Sequence, residues 1–274
     1  MAGLPKTQRQ HGFTLIELIV VIVLLGIISV GTTGFIVSSV KGFSDQSRRQ
    51  GIAAAGRIAM DRLVREVRNA LPNSVRTTSD ASGTCLEYIP IQEATQYIDA
   101  PVGFAADSLS VIPFSDTPRF TANQSRVAVY PISTAAVYRE GALGAISSTV
   151  SSTPASLVAS NAVTLTLNSA HQFERASPRQ RLFFVDQPVS VCLVGDRLYR
   201  YSNYTRRASQ PTPSSLPSTE PDRGLLAYPV SAATPFRVID ATLQRNALVL
   251  LEFSVTNQGE SLLIQQEVQI RNAP

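Results

Sequence analysis

From Leu18 to Val37 the chain reads LIVVIVLLGIISVGTTGFIV, twenty residues without a charge. At 1.5 Å per residue a helix of that length spans about 30 Å, the thickness of a bilayer's hydrocarbon core. The run predicts a membrane-crossing helix. Ahead of it stands MAGLPKTQRQHG, with Lys6 and Arg9 and no acid. An excess of positive charge keeps that end cytoplasmic, which sends the bulk of the chain across the membrane. A cleaved secretory signal, cut after Gly31 behind Ser29, is the plainer alternative. No Cys stands at the end of the apolar run, so a lipoprotein signal is not expected.

Composition narrows the chemistry further. The 274 residues carry 24 basic and 20 acidic side chains, a net charge of +4, and only 16% of residues are charged. That share lies well below the roughly 25% of an average soluble domain, as an apolar N-terminal segment requires. All but two of the basic residues, Lys6 and Lys41, are arginines. Two histidines, two cysteines and no tryptophan argue against multi-histidine or cysteine-rich metal sites and haem ligation. No cofactor or metal is expected.

The apolar run is preceded by Gly12-Phe13-Thr14-Leu15-Ile16-Glu17, which sets a carboxylate at the membrane side. A carboxylate there costs on the order of 2.5–3.5 kcal/mol without a partner, and the chain offers no cation between Arg9 and Lys41. The partner must be made by processing or brought by another subunit. GFTLIEL behind a short basic leader resembles the class III signal of type IV prepilins and type II secretion pseudopilins. The resemblance implies cleavage between Gly12 and Phe13 by a prepilin peptidase, which also methylates the new amine of Phe13. It implies that Glu17 meets the N-terminal ammonium of a neighbouring subunit during filament assembly. It directly covers about residues 1–40.

Beyond the membrane, residues 38–71 contain no proline and Pro72 ends the segment, so one helix is expected from Phe13 to about Leu71. Its second half carries Ile52, Ala55, Ala59, Leu63, Val67 and Leu71 at near-helical spacing. Gly26, Gly31 and Gly34 weaken the membrane half, each by about 1 kcal/mol against Ala. Many major pilins carry a proline where this chain has Gly34, which leaves local melting open at that point. The other stem faces carry Arg48, Arg49, Arg57, Arg62, Arg65 and Arg68. Between Lys41 and Arg76 eight basic residues face three acids. Such a face suits phosphate, whether nucleic acid or anionic head groups. No aromatic interleaving supports single-strand stacking, so a solvated or subunit-contacting face is preferred and nucleic acid is not an expected partner. Helical pairing of Asp61 with Arg65 and of Glu66 with Arg62 is expected to neutralise part of it.

After Pro72 short β-prone runs are separated by Ser, Thr, Pro, Asp and Gly. Strands are predicted at 85–91, 109–114, 127–130, 163–167, 182–185, 189–194, 197–201 and 236–239. A closing hairpin is predicted from 247–255 and 262–270, with Asn257, Gly259 and Glu260 between. Residues 147–161 and 205–224 look like loops. The expected division is a leader over 1–12, an assembly helix over 13–37, an amphipathic stem over 38–72 and a β-rich head over 73–274. The fold class is α+β, an antiparallel sheet packed on a long helix in the lollipop manner of pilins. Cys85 and Cys192 lie in the exported part and form the candidate disulfide, with two buried thiols as the alternative. Major pilins usually bracket a C-terminal loop with a disulfide; the lack of any Cys after Cys192 points to a minor subunit.

Without the leader only His171 remains as a histidine, in SAHQ, and no GxSxG, HExxH or DxDxDG pattern occurs. His171 is read as a loop residue without a catalytic task, and the chain as a non-enzyme. A membrane-anchored periplasmic hydrolase is the alternative of a different class. RIAMDRLVREVRNALPNSVR over 57–76, CLEYIPI near Cys85 and the closing VQIRNAP resemble minor prepilins of the mannose-sensitive haemagglutinin (MSHA) pilus system. They are more distantly similar to the J pseudopilins of type II secretion and the W minor pilins of twitching pili. This implies a low-copy subunit that initiates, caps or regulates a filament used for surface attachment. Its implied partners are the prepilin peptidase and N-methyltransferase, other major and minor pilins, and the inner-membrane assembly platform. Its implied residence is the inner membrane and then the filament.

Overall fold

The computed structural model describes residues 13–240, 247–257 and 260–270. The leader with Gly12, the side chains of Ile52, Ala55 and Asn257, Gly259, and the last four residues of VQIRNAP lie outside the described set. Among the described residues helix α1 (Leu15–Arg68) is followed by α2 (Thr134–Tyr138) and sixteen strands. These are β1 (Arg76–Asp80), β2 (Gly83–Tyr88), β3 (Ile91–Asp99), β4 (Ala106–Val111), β5 (Arg126–Ala128), β6 (Leu143–Gly144), β7 (Ile146–Thr149) and β8 (Val163–Phe173). They continue with β9 (Arg181–Val185), β10 (Val189–Val194), β11 (Arg197–Tyr201), β12 (Arg223–Ala227), β13 (Val230–Ser231), β14 (Phe236–Ile239), β15 (Leu248–Asn257) and β16 (Glu260–Gln269). The arrangement is α+β. The chain divides into two compact units within α1, after Gly51.

The first unit holds the helix up to Gly51, which runs unbroken through Gly26, Gly31 and Gly34, the stretch that propensity leaves weakest. A Cβ added at any of these glycines would meet nothing within 4 Å. Thr32 and Thr33 turn their hydroxyls back onto the carbonyls of Ile28 and Ser29, each at 2.8 Å. That bonding hides two polar groups within an apolar stretch.

The second unit begins at Ile52. Ala59, Met60, Leu63, Val67 and Ala70 are buried and share one core with Leu86, Val191, Leu198, Val249, Leu251, Phe253 and Val268. Ala59, Leu63 and Val67 belong to the expected apolar stripe, brought onto one helix face by four-residue spacing, whereas Leu71 packs past the helix end in a separate core with Ile89, Val137 and Val185. Two sheets supply the other side of the core. One has the order β1-β2-β10-β11-β12; in the other β15 pairs with β13, β14 and β16. The closing hairpin pairs Leu248 with Gln269 through to Asn257 with Glu260. Its alternation buries Ala247, Val249, Leu251, Phe253 and Val255, while Leu262 stays partly exposed. Gly56 lets the helix approach it, since a Cβ there would sit 2.3 Å from Ile264 Cδ1 and 3.0 Å from Val255 Cγ2.

The expected single sheet is instead three. The third has the order β6-β8-β4-β3-β9-β5-β7, antiparallel except for the β6–β8 pair. It curls until its last strand meets β8. Val150 bridges Leu167, Ser151 N–H donates to the Thr166 carbonyl at 2.9 Å, and Ser148 Oγ donates to the Ser169 carbonyl at 2.8 Å. The ring encloses its own core of Leu109, Val111, Val127, Leu157, Leu165, Phe173 and Phe184. The predicted loop over 147–161 therefore contains the end of β7, a 3-10 turn at Pro154–Leu157, and a fully buried Leu157. Its Ser-rich composition suggested a solvated loop, yet here the hydroxyls supply part of the closing hydrogen bonds. Residues 205–224 keep the irregular character expected until β12, with one short 3-10 turn at Pro213–Ser215.

The strand predicted over 85–91 is broken at Ile89-Pro90, because Pro90 has no N–H to continue a ladder. The end of the helical segment fills the break: Leu71 N–H donates to the Ile89 carbonyl at 2.8 Å, and Ile91 N–H donates to the Asn69 carbonyl at 3.0 Å. Two sheets thus meet where the stem ends. Cys85 and Cys192 stand opposite one another on β2 and β10 and are joined in a disulfide. Closing 107 residues of chain stabilises such a fold by about 4–5 kcal/mol in the loop-entropy picture.

Candidate functional site: the N-terminal segment and its helix

Thr14 opens α1. Its Oγ1 accepts the Glu17 N–H at 3.3 Å and its carbonyl accepts Leu18 N–H at 3.2 Å. The Thr-x-x-Glu spacing is a helix-start signal readable in the sequence, and it fixes Glu17 in the first turn. A carboxylate in the first turn also faces the positive end of the helix dipole. Glu17 is exposed, and among the described residues no cation stands within ion-pair distance of it. Phe13 is 81% exposed and Ile16 70%, and every large apolar side chain from Leu15 to Phe43 is exposed as well. By length and composition the helix is apolar enough to cross a membrane. The implied cleavage point cannot be placed beside Glu17, because Gly12 lies outside the described residues.

The arginines of the stem behave differently from one another. Arg48 pairs with Asp45. Arg57, Arg65 and Arg68 are exposed, and the expected Asp61–Arg65 pair is not made. Both residues are exposed on the helix surface, where a pair would contribute only about 0.3–0.5 kcal/mol against the entropy of holding two side chains. Arg49 is exposed too.

Arg62 does bond Glu66, Nε to Oε1, at 2.9 Å, but Glu66 is also held from the head. Tyr88 OH donates to its Oε2 at 2.5 Å and Arg200 Nε to the same oxygen at 2.9 Å. Burial alone would raise this carboxyl; the bonds from Tyr88, Arg200 and Arg62 outweigh it and hold the pKa below its ordinary value. Glu66 therefore ties the stem to β2 and β11. A second carboxylate, Glu87, is fully buried one strand position away from Tyr88. Arg76 Nε donates to it at 2.5 Å and Tyr204 OH at 3.0 Å. Burial pushes its pKa up despite the Arg76 charge. Charge pattern suggested Glu66–Arg62 but gave no sign of Tyr88, Arg200 or the Glu87 cluster, whose partners lie up to 134 positions away.

His171 is not in a loop. It lies on β8, 1% exposed, with its ring edge against Phe173 at 4.8 Å and Nε2 bonded to the Gly144 carbonyl at 3.1 Å. The alternation of β8 turns it inward, which a Ser-Ala-His-Gln reading hid. Among the described residues no group of three or more His, Cys, Asp or Glu is placed to hold a metal.

Compared with known families, residues 7–33 match the prokaryotic N-terminal methylation motif. The match spans the basic leader's end, the Gly12-Phe13 junction, Glu17 and most of the apolar run. No curated protein and no solved structure matches the chain. The motif supports a type IV pilin-like protein, and implies processing by a prepilin peptidase and assembly with other pilins.

Proposed function

We propose that the chain is a minor prepilin of a type IV pilus, of the MSHA type and similar to MshO, acting as a non-catalytic assembly subunit. The observation that supports the prepilin part of this reading is the pairing of a first-turn carboxylate, without a cation beside it among the described residues, with an apolar helix that buries none of its membrane window within the chain; the MSHA part rests on the resemblance of residues 57–76. In this reading the chain enters the inner membrane with its head outside. Cleavage after Gly12 creates the cationic amine of Phe13, and Glu17 of one subunit meets the ammonium of a neighbour. The exposed apolar faces then pack against one another as the filament grows, by close contact between helices. The three sheets and the disulfide form the head that selects companion subunits. A type II secretion pseudopilin of the J kind uses the same N-terminal machinery.

Mass and N-terminal analysis of the chain expressed with and without a prepilin peptidase tests the reading. The expected product begins at N-methyl-Phe13 and requires the peptidase. A chain that keeps Met1, or one that begins near Thr32 in both cases, would overturn it.

A further inference from the structure

A cavity of about 310 Å³ lies in the head where β5, β7, β8 and the segment after β11 converge, lined among others by Arg126, Arg206, His171, Glu140 and Thr205. Its size is at the lower end of ligand pockets, which run from about 300 to 1,000 Å³. Two guanidinium groups enter this wall from different elements. Arg126 Nη1 donates to the Ser147 carbonyl at 2.8 Å, and Arg206 bonds the Val137 carbonyl. Neither stands within ion-pair distance of a carboxylate among the described residues. Glu140, the one acid in the lining, instead accepts the Ala208 N–H at 3.1 Å. Burial lowers the pKa of both arginines, Arg206 to about 10; the like charge of Arg126 adds to the effect on Arg206, and the charges of Tyr138 and Glu140 offset only part of it. Partly buried positive charge of this kind is costly until an anion compensates it.

Two buried atoms of residues that line it have no hydrogen-bond partner among the described residues: Arg126 Nε and His171 Nδ1. The Gly144 carbonyl can only accept, so His171 Nε2 carries the ring proton and Nδ1 is left as an acceptor. Burial, followed by the charges of Arg206 and Arg126, holds the imidazole neutral against the opposing Gly144 bond. The cavity therefore asks for two things at once, anionic oxygens for Arg126 and Arg206 and a hydroxyl donor for His171 Nδ1. Acetate supplies only the first and glucose only the second.

We propose that this cavity binds a small hydroxycarboxylate, the chemical class of a sugar acid, with its carboxylate on Arg126 and Arg206 and a hydroxyl donating to His171 Nδ1. The site is independent of the N-terminal assembly machinery and gives the head a ligand of its own. Isothermal titration of the full chain in a polyoxyethylene detergent, with glucuronate, acetate, glucose and inorganic phosphate as separate probes, tests it. Glucuronate is expected to bind about tenfold or more tighter than each of the other three. Arg206→Gln keeps a donor for the Val137 carbonyl and is expected to weaken glucuronate about ten- to a hundredfold, the range of a lost charge-assisted hydrogen bond. His171→Phe is expected to erase the preference for glucuronate over acetate. No binding of glucuronate, equal binding of glucose or acetate, or tighter binding of phosphate would overturn the proposal. So would unchanged affinity in Arg206→Gln, whose melting temperature is read alongside to show that the variant is folded.

Discussion

One helix carries two glutamates with opposite surroundings. Glu17 is exposed and has no cation beside it among the described residues, whereas Glu66 takes hydrogen bonds from Tyr88, Arg200 and Arg62. The glycines divide in the same way: a Cβ at Gly31 would meet nothing within 4 Å, and one at Gly56 would collide with Ile264. Apolar residues before Gly51 are exposed, while Ala59, Met60, Leu63 and Val67 are buried. A continuous run of helical backbone thus holds a segment whose large apolar side chains are all exposed and one whose apolar stripe is buried in a core. What an isolated chain leaves unsatisfied is what assembly must satisfy.

The largest effect should come from the unsatisfied end. Glu17→Ala is expected to leave membrane insertion, cleavage after Gly12 and the melting of the head unchanged, and to abolish entry into filaments. Counting tagged subunits in sheared pilus fractions, with the inner-membrane pool measured beside them, gives the readout. Normal incorporation would break the contrast between the two glutamates, because Glu17 would then be as idle in the filament as in the single chain.

The glycines give a smaller, opposite pair. Gly56→Val places branched carbon where Ile264 Cδ1 and Val255 Cγ2 already sit, and should cost the head about 1–3 kcal/mol, as overpacking of a filled core does. Gly31→Val meets open space and should leave urea unfolding of the head where it is. Equal midpoints for the two variants would show that the hairpin yields freely and that Gly56 is not needed for the approach.

How much of this was legible beforehand depends on the range of the interaction that decides it. The apolar run, the neighbouring strands at 189–194 and 197–201 and the closing hairpin are local patterns, and the structure has them, although the closing ladder runs on through Asn257 and Glu260, which the sequence placed in the connection. The stem's stripe was legible too, because three- and four-residue spacing is a property of the helix alone. The closed third sheet was not, since its closing contacts join Ser148 to Ser169 and Ser151 to Thr166 through residues whose composition suggests loop. Neither was the wall that brings Arg126 and Arg206 together, 80 positions apart and each surrounded in sequence by nothing that marks a site. Gly56 carried no turn signal, and its meaning comes only from the hairpin laid against it.

The smallest effect separates two carboxylates that both belong to the docked region. Glu66 has a folded pKa below its ordinary value of 4.5, so the stability it contributes is fully present above that value and is lost as pH falls through the folded pKa. Glu87 is the reverse: burial raises its folded pKa, so its contribution is fully present below 4.5 and is lost as pH rises through the raised value. Glu66→Gln removes a charge that three donors are arranged to meet, and should cost about 1–2 kcal/mol at pH 7 with the cost shrinking toward pH 3. Glu87→Gln should move the other way, gaining on the parent chain as pH rises from 3 to 7. Urea unfolding midpoints at pH 3, 5 and 7 for the parent and both variants read the two slopes. Parallel slopes would mean that the strand behind the stem treats both acids alike. Opposed slopes would mean that the stem is held by a carboxylate kept charged, while burial works against the charge of the one beneath it despite Arg76 and Tyr204.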